Sequence, residues 1–348
     1  MSSNSNSVVP LWEEGTSTDV VPVATDELAQ VDVANDTIEA VAVEPKSPSR
    51  LFKSLRWVAF LALIVSYPLS VLASHQVKDS PIVLEEGKWS SDDVGTVSEL
   101  ISREVFSVGW ADDRAIWHPQ ARLTALPAWQ EGLIGASAPW VQAVSVSTDN
   151  DSDLLAASRL LTPTAERPTQ PRLNAALEAL ERYDSRLEGG FASDVSAQPY
   201  ILTSLDQSIV QADDARALLG SVVDDTTVWP ATSDAVRAYY QAKASAYVTH
   251  MRFEIMASDL ESLQVSNAED LKAQFQTATS RWKKAARQKP LFVMNQTGDG
   301  ILSANHLAVM SFYIEDARLA TEAFKVALTE ALATDAASTQ AADLASAP

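Results

Sequence analysis

The chain has no cysteine among its 348 residues. That absence excludes disulfides, thiolate metal sites, a cysteine nucleophile and a lipid-modified cysteine, so whatever folds here must do so on its hydrophobic core alone. Basic residues are scarce too. There are 26 Lys and Arg against 46 Asp and Glu, a formal charge of −20. Phosphate contacts need a clustered cationic surface, and a field of this sign repels a polyanion, so nucleic acid is excluded as a general partner. Residues 1–45 contain no Lys or Arg at all, while Glu13, Asp19, Asp26, Asp32 and Glu39 recur among Ser, Thr, Val and Ala. Such a segment buries too little apolar area to offset its ordering entropy, and residues 1–50 are expected to be a disordered acidic arm. Residues 334–348 are Ala, Ser, Thr, Gln and Asp, with Leu344 the one large apolar side chain. They read as a disordered tail.

One long apolar run is present. Trp57 to Ala73 carries no charge, and the residues from Leu51 lengthen it enough to cross about 30 Å of hydrocarbon. Residues 51–75 are therefore expected to form a transmembrane helix, with Pro68 tolerated and Tyr67 placed towards an interface. Lys46, Arg50, Lys53 and Arg56 precede the run, and Asp79, Glu85 and Glu86 follow it. The basic flank puts the N-terminus in the cytoplasm and the remainder outside a bacterial inner membrane, facing the periplasm. Two other readings compete: a delayed signal peptide ending at Val71-Leu72-Ala73, and a buried helix of a soluble protein.

Residues 90–333 read as a helical periplasmic domain, a mainly α bundle. Val94, Val97, Ile101, Val105 and Val108 recur at three and four over Asp92 to Val108. Further helices are predicted at Trp129–Val146, interrupted or bent at Pro139, and at Leu173–Leu187, ended by Gly189 and Gly190. Asp234–Leu263, Glu269–Gln288 and Ser303 to about Leu332 complete the set, with a short strand near Phe292–Met294.

Three stretches resemble the uncharacterised proteobacterial family called domain of unknown function 2333. The first is Asn295-Gln-Thr-Gly298-Asp-Gly300-Ile-Leu302-Ser-Ala304-Asn305-His306, followed by Met310 and Tyr313-Ile314. The second is Leu126-Pro-Ala-Trp129-Gln-Glu-Gly132, and the third Ala179-Leu-Glu-Arg-Tyr183-Asp-Ser-Arg-Leu187. The likeness spans roughly Glu99 to Leu332 in the family's order. Ser303 is an extra residue, and Val108 to Asp113 departs from the family's Gly-Gly-Tyr-Leu-Ser-Asn-Asp stretch. The resemblance implies an N-terminally anchored, envelope-facing helical protein and supplies no reaction.

The candidate site residues follow from these stretches. Asn295, Gly298, Gly300, Asn305 and His306 form a turn in which glycines permit close approach and Asn305 caps the next helix. They are read either as a ligand or partner-binding pocket, with Trp129, or as a capped turn. Trp110, Trp117, Trp129 and Trp140 offer a carbohydrate platform, or core and interface aromatics. Arg281, Lys283, Lys284 and Arg287, with Lys289, form the strongest basic cluster, either docking onto lipid phosphates or an acidic partner, or complementing a helix C-terminus. Asp149, Asp151 and Asp153 begin like a calcium loop, but Leu154 and Leu160 stand where glycine and glutamate belong. No metal and no cofactor are expected. No nucleophile elbow, phosphate loop or zinc spacing occurs. The expected function is non-enzymatic: a bitopic inner-membrane protein contacting lipid through its anchor and binding an envelope protein or other envelope component through its domain. The alternatives are a periplasmic hydrolase using His306 and a carboxylate, and a small-ligand module with a closed pocket lined by Met251 and Met310.

Overall fold

The computed structural model describes residues 50–74, 77–226, 231–263, 265, 267–297 and 304–346, with side chains at 50–53, 71–74, 339 and 341–346 left aside. The chain divides at Leu55 into two units. The described part of the first, residues 50–55, is helical, and the second, Arg56–Pro348, is compact.

Nine α-helices and no strand are found among the described residues: α1 (Arg50–Ser74), α2 (Asp92–Ser102), α3 (Ala125–Ser147), α4 (Ser152–Leu161), α5 (Gln170–Glu188), α6 (Ala197–Val223), α7 (Ser233–Ser262), α8 (Ala268–Ala286) and α9 (His306–Ser346). The protein is thus mainly α. Its centre is α7, which packs on α3, α6, α8 and α9, while α4 and α5 continue outward from α3. The motif ending in Gly132 has a mechanical reason. A Cβ at Gly132 would sit 2.7 Å from the Gln241 Cα and carbonyl oxygen, so only glycine lets the α3 and α7 backbones approach this closely. One turn earlier, Trp129 packs against Tyr247 of α7, the rings tilted by 47° with 5.3 Å between centroids.

The periodicity of α2 predicts its buried stripe correctly: Val94, Val97, Ile101 and Val105 are all buried. Beyond Ser102 the helix loosens into a π turn over Arg103–Gly109. Gln130 of α3 holds that turn, donating to the Gly109 carbonyl and the Glu104 carboxylate and accepting from the Ala111 amide. At the other end, the Asp184 carboxylate of α5 accepts from the Ser90 and Ser91 amides and ties α5 to the start of α2.

Several expectations are corrected. α3 continues through Pro139 without interruption, and the neighbouring Ala136 and Ala138 carbonyls accept from Gln211 of α6 and Ser158 of α4. The strand expected near Phe292–Met294 is a single bridge, Asn295 to Asn305. The tail expected from Thr334 continues α9 to Ser346; the stretch is Ala-rich and holds no Pro or Gly, so nothing in it breaks a helix already running.

Among the described residues no helix is long and apolar enough to cross a membrane. α1 comes nearest, but its described side chains, Ser54 to Ser70, cover 17 residues, a rise of about 26 Å.

Candidate functional site

The most unusual surface belongs to α1. Every described side chain from 54 to 70 is exposed, including ten large apolar ones at 40% to 71%. At roughly 100° per residue these do not share a face: Trp57 and Ile64 point one way, Val58 and Val65 about a quarter-turn round, and Leu63 to the opposite side. A helix apolar on all sides has no wet face to turn outward. The Ser66 and Ser70 hydroxyls are satisfied internally, donating to the Leu63 and Tyr67 carbonyls of the same helix.

The turn before α9 is closed rather than open. The His306 amide donates to the Met294 carbonyl at 2.9 Å, and the Met294 amide returns a bond to His306 Nδ1 at 2.9 Å. That second bond requires an unprotonated Nδ1, and burial lowers the imidazole pKa in the same sense. The Asn305 side chain accepts from the Ala308 amide and so caps α9, as its position suggests. Asn295 is buried and donates to the Val222 and Asp225 carbonyls, fastening the turn to the end of α6. Gly298 and Gly300 lie outside the described residues. No carboxylate bonds to His306 among the described residues, so the dyad needed by a hydrolase is not assembled there.

Trp129 sits fully buried in the core, remote in role from that turn: it packs against Tyr247 and under the Lys243 ammonium. Trp110 and Trp140 are buried as well, and of the tryptophan loop Trp117 alone is exposed, at 73%. The predicted platform is therefore dispersed. The basic cluster is dispersed in the same way. Arg281 pairs with Asp316 at 2.8 Å, Lys283 lies 3.5 Å from Glu254, Lys284 stands over the Tyr313 ring and Lys289 bonds Asp79. Arg287 stays exposed without an ion pair among the described residues. Of the three acids of the calcium-like stretch, Asp151 caps α4, Arg186 bridges Asp151 and Asp153, Arg182 pairs with Asp153, and Asp149 accepts from the Ser193 hydroxyl. Met251 and Met310 are both buried in the core, and Met251 lines a groove with Ile82, His250 and Ile255.

Two features escaped the sequence. A groove of about 470 Å³ runs between α7 and α8, floored by Phe253, Leu260 and Phe275 and rimmed by Glu261, Glu269 and Lys272. Inside the bundle, Asp93 accepts from Trp140 Nε1 at 2.7 Å and from the Tyr200 hydroxyl. Burial pushes the Asp93 pKa up to about 7. Nearby Arg252 is fully buried, bonded to Gln207, Ser208 and Gln211, and burial pulls its pKa down to about 10. Arg252 is fully buried and Asp93 nearly so, and their bonds tie α2, α3, α6 and α7 together in the core. Their signal in the sequence was a lone Asp or Arg in an apolar register.

No protein family, curated protein or solved structure matches the chain.

Proposed function

We propose that this is a single-pass membrane protein: α1 anchors it, residues 1–50 lie on the cytoplasmic side, and the helical domain on the periplasmic side of a bacterial inner membrane binds other envelope components without catalysing a reaction. The observation that carries this reading is the uncovered apolar circumference of α1. An exposed apolar surface of this extent requires a cover, and lipid covers all sides of a helix at once. The helix as a whole is 25 residues, about 38 Å of rise, which exceeds the hydrocarbon thickness once its two ends are included. Internal bonding of Ser66 and Ser70 suits a medium with no water to offer. The resemblance to domain of unknown function 2333 points in the same direction. For the binding role, the α7–α8 groove supplies an apolar floor that faces solvent, whereas among the described residues no carboxylate bonds His306.

The test is extraction and topology. Full-length protein in membranes should resist alkaline carbonate and be released by detergent. Protease added outside spheroplasts should digest the region after Ala73 and spare residues 1–45. Release by carbonate, or the reverse digestion pattern, rejects the anchor and its orientation. Crosslinking and pull-down from native membranes, with and without residues 1–45, then tests the binding role; recovery of no envelope component removes it.

A further inference from the structure

The connection between the π turn and α3 is fastened to α1 at one residue. The Tyr67 hydroxyl donates to the Trp117 carbonyl at 3.0 Å and accepts from Arg122 Nε at 3.0 Å. The loop is braced from its other side, where Gln120 Nε2 donates to the Val108 carbonyl and the Gln120 amide to His118 Nδ1. On this braced frame Ile116 and Trp117 are each 73% exposed. An exposed adjacent pair of this size is not the loose end of a flexible loop. It is presented.

The charges around the pair are also distinctive. Asp112 is engaged by Arg167 at 2.7 Å, and Asp113 accepts from the Thr169 and Gln170 amides at the start of α5. Arg114 and Arg122 make no ion pair among the described residues, although the chain as a whole carries a charge of −20. Two cations beside an exposed Trp and Ile match the composition of a membrane interface, where indole rings sit at headgroup level and guanidinium groups meet phosphate. The position fits as well. Tyr67 precedes the end of α1 at Ser74 by seven residues, about 10 Å of rise. A loop held beside Tyr67 therefore lies at about the 5–10 Å depth occupied by the apolar faces of interfacial segments.

We infer that residues 114–123 form a second membrane contact, in which Ile116 and Trp117 enter the headgroup layer on the domain's side and Arg114 and Arg122 bind lipid phosphates. This rests on α1 crossing the membrane. It adds that the domain is seated on the bilayer at a fixed height, with the anchor and the loop clamped through Tyr67, rather than swinging on a tether. The occupant is a phospholipid surface: the loop meets the apolar surface of α1, and its free charges are opposite in sign to phosphate.

The absence of cysteine makes the test direct. Single-cysteine variants Leu63→Cys in α1, Trp117→Cys and Ile116→Cys in the loop, and Phe191→Cys in the exposed turn after α5 are each labelled with an environment-sensitive fluorophore. The full-length chain is reconstituted in vesicles of phosphatidylglycerol and phosphatidylcholine carrying a nitroxide quencher on the lipid. Labels at 116 and 117 should be quenched to within about twofold of the label at 63, and the label at 191 should be unaffected. Quenching at 63 with 116 and 117 behaving like 191 would overturn the loop contact and leave the anchor standing. Quenching at none of them overturns both. Introducing Arg114→Glu should lower quenching at 117, and more so in vesicles rich in phosphatidylglycerol than in pure phosphatidylcholine; unchanged quenching overturns the phosphate contact.

Discussion

Helices α1 and α3 are near twins in sequence and opposites in surroundings. They have 25 and 23 residues, each is predominantly apolar, and each carries one internal proline, Pro68 and Pro139. Yet α3 buries fifteen of its residues, while no described side chain of α1 is covered. The difference lies in the polar and small residues. In α3, Gln130, Ser137 and Trp140 reach partners on other segments or their own backbone, and Gly132 admits the α7 backbone. In α1, Ser66 and Ser70 bond within the helix, Tyr67 reaches Trp117 and Arg122, and the described side chains are exposed. Hydropathy alone does not tell a covered helix from an exposed one. Close backbone approach and buried polar partners do.

The largest expected effect tests the covered half of this comparison. Trp140→Ala removes a fully buried indole and orphans one acceptor bond of Asp93, so the domain should lose about 3–5 kcal/mol in denaturant unfolding. Leu63→Ala in α1, where the side chain is 71% exposed, should leave that unfolding midpoint unchanged. Equal losses would mean that protein covers α1. Next in size is Leu63→Arg, which should impair membrane insertion by about 2.5–3.5 kcal/mol, read as the inserted fraction, while domain unfolding stays as in the parent. No change in insertion would reject α1 as the span.

Most of the bundle was legible because its helices bury one stripe each, and a stripe leaves a period in the sequence. Val94, Val97, Ile101 and Val105 gave α2, and the stripes of α7 and α8 gave those helices to within a residue or two. Helices α4 and α6 were missed. At the start of α4 three acids drew attention as oxygen ligands, although Asp151 is a cap, Asp153 an ion-pair partner and Asp149 an acceptor from Ser193. In α6 the buried face is built partly from Ser204, Ser208 and Gln211, the last two bonded to Arg252, so polar residues interrupt the apolar period. The candidate sites were less legible for a different reason. Asn305 caps α9 as its position suggests, but whether His306 faces a ligand or closes on backbone depends on Met294, twelve residues before it. The basic cluster shows the same limit: its partners Asp316, Glu254 and Asp79 come from distant segments.

Asp93 gives a pH-dependent test of the polar contacts that keep α3 in the protein. Its pKa is about 7 folded against 3.8 for the free side chain, so between those values the folded state holds a proton that the unfolded state has released. Stability must then fall as pH rises from about 4 to about 7, and remain low above. His250 works in the opposite sense. Burial lowers its pKa from 6.5 to about 4, so its contribution is present above 6.5 and lost as pH falls towards 4. The difference between the parent and Asp93→Asn isolates the first effect, because the amide oxygen still accepts from Trp140 while the ionisation is gone. The variant should gain on the parent as pH rises through that window, and a flat difference would mean that Asp93 is ionised and compensated.

The smallest effects concern added volume, and they sharpen the contrast where size alone is changed. Gly132→Ala places a methyl group 2.7 Å from backbone atoms of Gln241, which cannot rotate away, so α3 and α7 must separate at a cost of about 1–3 kcal/mol. Ala62→Leu enlarges a residue in α1 by more, three carbons instead of one, and meets nothing, because the side chains around it are exposed. Domain stability should not change. Insertion should improve slightly, by about 0.5 kcal/mol or less, since a leucine is modestly favoured at the centre of a membrane helix. The pair inverts the usual expectation that the smaller addition is better tolerated, because tolerance is set by the neighbour: a fixed backbone beside Gly132 in α3, and exposed surroundings beside Ala62 in α1. Thermal unfolding in detergent of the two variants beside the parent separates these outcomes. If Ala62→Leu destabilised as much as Gly132→Ala, a protein surface would have to lie against α1, and the contrast between the two helices would disappear.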